Sequence, residues 1–128
     1  MIEITEEEVR GFTGILIWKC QYPSGCACQE CGEVKEIVES VAKHTRDTVP
    51  LAMVAIRSIS PGTVANQYGI CSLPTTMALH NGRILLRAGA VPENPTLEEM
   101  VELVYGAQLT SEAFQKPTQS IWETQNDY

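Results

Sequence analysis

Four cysteines fall within twelve residues, Cys20, Cys26, Cys28 and Cys31, and a fifth, Cys71, follows forty residues later. Two chemistries fit the cluster. Cys28-Gln-Glu-Cys31 is a Cys-x-x-Cys pair, in which one thiolate can attack a disulfide and the second can displace it from the mixed disulfide that results. Alternatively, Cys20, Cys26, Cys28 and Cys31 together could supply the tetrahedral sulfur set of a zinc site or an iron–sulfur cluster. The Cys-x5-Cys-x-Cys-x2-Cys spacing matches no common zinc or ferredoxin pattern, and loops this short limit how four sulfurs converge. The dithiol is therefore the leading reading and the thiolate metal site its alternative. Only Ala27 separates Cys26 from Cys28, so a disulfide between them would be strained and readily exchanged. On the dithiol reading, Cys20, Cys26 and Cys71 are auxiliary thiols. With an odd total, one thiol is left over if all the others pair.

Such a pair needs elements to hold it. Upstream, Thr13 to Lys19 reads as a strand, and its apolar run Ile15-Leu16-Ile17-Trp18 implies burial on both faces. Downstream, Val34, Ile37, Val38, Val41 and Ala42 have the spacing of one helix face, over Glu33 to about Thr45. Extending that phase backward puts Cys31 on the buried face and Cys28 one turn further back, at or before the first helical residue. There, unpaired N–H groups and the positive end of the helix dipole favour a thiolate. Glu30 beside it opposes thiolate formation.

The rest of the chain supplies the frame. Ile2-Glu3-Ile4 alternates like a short strand, and Thr5 with Glu8 forms a capping box for a brief helix that Gly11 stops. Leu51 to Ile56 reads as a second central strand. Thr63 to Tyr68 reads as a short helix ended by Gly69. Thr75 to Leu79 and Arg83 to Ala88 flank His80-Asn81-Gly82, the strongest short-range signal for a hairpin. Pro92, Asn94 and Pro95 read as a loop. Thr96 and Glu99 cap a last helix carrying Leu97, Met100, Val101 and Val104, with Gly106 placed to end it. Alternating strands and helices followed by a hairpin imply an α/β fold, with a mixed central sheet flanked by helices on both faces. The domain is expected over 1–106. The segment 107–128 is a C-terminal extension, a short helical turn at Thr110 to Gln115 and then a flexible tail.

The order strand, Cys-x-x-Cys at a helix start, strand, then Tyr68-Gly69-Ile70-Cys71-Ser72-Leu73-Pro74-Thr75 and Asn81-Gly82-Arg83, resembles the thioredoxin family over roughly Thr13 to Gly106. The resemblance implies a thioredoxin-like fold and reversible dithiol–disulfide exchange with protein partners. It implies that Cys28 attacks and Cys31 resolves, that Pro74 is a cis proline beside them, and that the backbone of Leu73 pairs with an extended substrate. The chain departs from the family's Trp-Cys-Gly-Pro-Cys, with Ala27 before Cys28 and Gln29-Glu30 between the thiols. The strand-to-helix loop is about four residues longer by this alignment, and it carries Cys20 and Cys26. Trp18 stands where the family buries an acid that accepts the resolving thiol's proton.

Composition narrows the partners. A net charge of −7 argues against nucleic acid, whose affinity comes from clustered Lys and Arg, and against an anionic membrane surface. No apolar run is long enough to span a bilayer. The acidic N-terminus does not look like a secretory signal, so a cytoplasmic protein is expected, where close-spaced cysteines are catalytic or metal-binding more often than structural. The expected partners of a monomer are protein disulfide substrates and an upstream thiol reductase, with no cofactor unless the metal alternative holds. A third possibility is a non-catalytic binding module on the same scaffold. His44 and His80 suit no Cys-His pair on this topology, Ser60-Pro61-Gly62-Thr63 lacks the lysine and glycine spacing of a phosphate loop, and Trp18 is expected in the core.

Overall fold

Strands with apolar residues at every position must lie at the centre of a sheet covered on both sides. Two runs meet that condition, and they form adjacent strands. The computed structural model describes residues 1–20, 28–89 and 91–115, with the backbone alone for 28–31 and 111–115. In chain order the strands are β1 (Ile2–Glu3), β2 (Gly14–Cys20), β3 (Leu51–Ile56), β4 (Thr75–His80) and β5 (Arg83–Gly89). The α-helices are α1 (Cys28–Thr45), α2 (Val64–Gln67) and α3 (Asn94–Gln115), and a 3-10 helix spans Glu7–Gly11. The sheet order is β1-β3-β2-β4-β5. β1, β3 and β2 run parallel, and β4 and β5 are antiparallel additions.

Alternation along β2 divides the core. Ile15 and Ile17 face α1 and α3, where they meet Val34, Val38, Leu97, Met100, Val101 and Val104. Leu16 and Trp18 face the opposite way, toward α2 and the 3-10 helix, among Val9, Val64, Ala65, Ile70 and Met77. Burying each such side chain is worth about 1.5–3 kcal/mol against leaving it in water, so the two faces share the work of holding the sheet. At the C-terminal end of α1, Arg46 reaches α3 through Glu102, at 3.3 Å, and lies 4.1 Å over the Tyr105 ring.

Local chemistry sets the boundaries. The Thr5–Glu8 capping box forms in both directions, with Thr5 N–H donating to Glu8 at 2.7 Å and Glu8 N–H donating to Thr5 Oγ1 at 3.3 Å. Thr63 caps α2 through Asn66 N–H. Asn81 and Gly82 turn the hairpin with φ of 51° and 78°, the two positive values a type I′ turn requires. Gly82 is further constrained, because a Cβ there would collide with the carbonyl of Arg10.

Two expectations are corrected at α3. The helix begins at Asn94 and takes in Pro95, which sequence reading places in a loop. A proline in the first helical turn forfeits an N–H that has no intrahelical partner anyway, and Leu97 N–H bonds back to the Glu93 carbonyl at 3.1 Å. Nor does Gly106 end the helix, which runs on to Gln115 across the boundary expected at 106. Glycine costs only about 1 kcal/mol against alanine inside a helix, less than the buried stripe on this helix returns. The expected tail, Lys116 to Tyr128, lies outside the described residues.

Candidate active site

The ladder between β2 and β4 fixes where the site's parts meet. Its last pair is Trp18 with Thr75. Beyond that pair, β2 continues through Lys19 to Cys20, while Pro74 immediately precedes β4. The end of β2 at Cys20 and the proline segment therefore lie side by side at the same edge of the sheet. The Leu73–Pro74 peptide bond is cis. Pro74 is buried and Leu73 half-buried. Thr75 Oγ1 donates to the Ser72 carbonyl at 2.8 Å, closing the turn around the proline.

Cys28 is the first residue of α1, and Cys31 lies within its first turn. A helix start leaves its first backbone N–H groups without intrahelical partners, which favours negative charge there. Both side chains, and all of Cys26, lie outside the described residues. Cys20 ends β2 half-buried and is engaged in a disulfide whose partner is also outside them. Cys71 is an exposed free thiol, and its Sγ donates to the Gly69 carbonyl at 3.6 Å. Among the described residues no group of three or more His, Cys, Asp or Glu could hold a metal ion. An open groove of about 230 Å³ lies between α1 and the start of α3, lined by Glu36, Ile37, Ser40, Val41 and Asn94. It begins about two helical turns beyond Cys28, away from the sheet edge.

Thioredoxins are among the solved structures that resemble this chain. Chloroplastic thioredoxin z matches with a TM-score of 0.58 at 18% identity, over 83% of this chain and 95% of that one. Plasmodium falciparum thioredoxin matches at 0.57 and 18%, over 80% and 95%, and Fasciola hepatica thioredoxin at 0.55 and 19%, over 80% and 98%. The fold is thioredoxin-like. No family model and no curated protein sequence matches the chain, so the likeness lies in the architecture.

Within this thioredoxin-like frame, two features shape the surroundings of the site. Trp18 is wholly buried, and its ring lies 5.6 Å from that of Tyr68 at an interplanar angle of 41°. Its Nε1 has no hydrogen-bond partner among the described residues. Neither Trp18 nor its neighbour Tyr68 offers a carboxylate to take a proton at neutral pH. The second feature carries no signal in the sequence. Arg87, on the edge strand β5, donates from Nη1 to the Tyr68 carbonyl at 3.1 Å and from Nη2 to the Gly69 carbonyl at 2.8 Å. Tyr68 in turn donates its hydroxyl to the Gly82 carbonyl at 2.7 Å. The hairpin thus grips the residues that lead into Cys71, Leu73 and Pro74 at two points.

Proposed function

We propose that this protein is a thiol–disulfide oxidoreductase acting through Cys28 and Cys31 on protein disulfides. The observation that carries the reading is one of placement. The end of β2, the strand that leads toward the helix beginning at Cys28, lies beside the cis Leu73–Pro74 bond at one edge of a thioredoxin-like sheet. The disulfide at Cys20 bears on the metal alternative alone: it commits one of the four sulfurs that a zinc or iron–sulfur site would need as thiolates.

The exchange is balanced without a cofactor. The Cys28 thiolate attacks one sulfur of the partner's disulfide, forming a Cys28–partner mixed disulfide and expelling the partner's other sulfur as a thiolate. Cys31, deprotonated, then attacks Cys28 Sγ. The Cys28–Cys31 disulfide forms and the partner's second sulfur leaves, so the partner is reduced by two electrons and this chain is oxidised by two. An upstream dithiol reductase restores the pair. Leu73, preceding the cis bond, offers backbone groups to an extended segment of the partner, which is recognition by strand addition. Trp18 cannot serve as proton acceptor for Cys31, so water or the departing thiolate takes that role.

The test is insulin reduction and partner trapping. Cys28→Ser should abolish both, because the attacking thiol is gone. Cys31→Ser should accumulate the mixed disulfide. Unchanged reduction by Cys28→Ser would overturn the assignment.

A further inference from the structure

We propose that Arg87 is the positioning residue of the Leu73–Pro74 segment, holding it in register for protein partners; this rests on the oxidoreductase reading above for its functional arm. Arg87 stands opposite Met77 across the β4–β5 ladder, on the face that carries α2. From there its guanidinium spans to two successive carbonyls, those of Tyr68 and Gly69. Gly69 sits at φ 71°, turning the chain from the end of α2 into Ile70 and the proline segment. At the far end, Thr75 Oγ1 holds the Ser72 carbonyl. The stretch Ile70–Leu73 is thus tethered at both ends to the hairpin. Ile70 is buried between the tethers, while Cys71 and Ser72 are exposed and Leu73 is half-buried.

Two features make this more than the closing of a helix. α2 is a single turn of four residues, with only a small dipole and few free carbonyls to satisfy. And among the described residues Arg87 makes no ion pair, so its planar donor fork is given over to the two backbone oxygens. A lysine ammonium presents a compact charge and does not reproduce that fork. The Gly69 oxygen also accepts from Cys71 Sγ, so the Cys71 thiol reports on the anchor from within the segment.

The test uses the full chain, pre-reduced, in single-turnover oxidation by two disulfides. Insulin has a backbone to pair with Leu73. Hydroxyethyl disulfide has none and needs only Cys28 and Cys31. Arg87→Met keeps the aliphatic stem and removes the donors. It should slow oxidation by insulin about ten-fold and leave oxidation by hydroxyethyl disulfide within about two-fold. Alkylation of Cys71 by iodoacetamide should become several-fold faster. Arg87→Lys should recover only part of the insulin rate. Equal losses on both disulfides together with a lower Tm would reduce Arg87 to a helix cap and overturn the proposal. Unchanged insulin and Cys71 rates would also overturn it. If the wild-type chain reacts with neither disulfide, the oxidoreductase reading itself falls, and the Cys71 rate alone then decides whether Arg87 holds the segment.

Discussion

The two faces of the sheet are built differently. Under α1 and α3 the core is apolar apart from the buried Thr76 hydroxyl beside Ile17, with Ile15, Ile17, Val34, Val38, Leu97, Met100, Val101 and Val104 packed across long helices. Under α2 and the 3-10 helix the core is smaller and is rimmed by directional hydrogen bonds. Trp18 and Tyr68 lie ring against ring there, with the Arg87 and Tyr68 hydrogen bonds at its rim. The first face gains stability from area, which is non-directional. The second gains position from hydrogen bonds, which fix geometry at modest net energy. The segment that carries Cys71, Leu73 and Pro74 leaves from the second face, so the part of the site needing exact placement is held by the directional side.

The largest effect should come from cutting the first face. Met100 is fully buried between α3 and the sheet. Met100→Ala should cost about 2–5 kcal/mol, the transfer loss plus the cavity left behind. The midpoint of urea unfolding should fall with an unchanged slope. Oxidation by insulin, measured well below that midpoint, should stay near the wild-type rate. A large drop in that rate without loss of fold would mean that the two faces are not divided in this way.

An effect of intermediate size separates position from stability. Tyr68→Phe removes the hydroxyl donated to Gly82 and leaves that carbonyl in need of a partner. About 0.5–1.5 kcal/mol should be lost, a Tm shift of only a few degrees for a domain of this length. The ring contact with Trp18 is kept, so packing changes little. If the second face sets position, insulin oxidation should slow out of proportion to this small loss, with hydroxyethyl disulfide unaffected. Proportional changes in all three readings would erase the distinction between the faces.

What could be read beforehand follows the same division. The first face is written in local periodicity. Val34 to Ala42 at helical spacing, the four apolar residues of β2 and the Asn81-Gly82 turn each signal their element within a few residues, and all three are where the pattern puts them. The start of the candidate site is legible for the same reason, since Cys28 opens a helix whose phase is set by residues just after it. The second face is assembled from residues far apart in sequence. Arg87 meets residues eighteen and nineteen positions earlier, and nothing in an exposed edge-strand arginine marks it as an anchor. The disulfide at Cys20 is likewise unreadable, because cysteine spacing allows several pairings. At α3 the error has another cause. Pro95 and Gly106 are local breakers, but the stripe Leu97, Met100, Val101 and Val104 pays more in burial than those two residues cost.

Gly106 itself gives the smallest prediction and the cleanest control. It lies exposed within α3, and a Cβ built on it meets nothing within 4 Å. Its φ is not among the positive values, so alanine fits the helix without strain. Its carbonyl accepts a side-chain hydrogen bond from Thr110 Oγ1 at 2.9 Å, and a side chain at 106 leaves that oxygen in place. Gly106→Ala should therefore stabilise the protein by about 0.5–1 kcal/mol, through lost freedom in the unfolded chain rather than any new contact. The gain should appear in Tm while the insulin and hydroxyethyl disulfide rates stay fixed, because α3 packs on the face that does not hold the proline segment. A change in either rate would show that α3 reaches the site. A loss of stability would mean that the helix needs glycine at 106, and the stop read from the sequence would be restored.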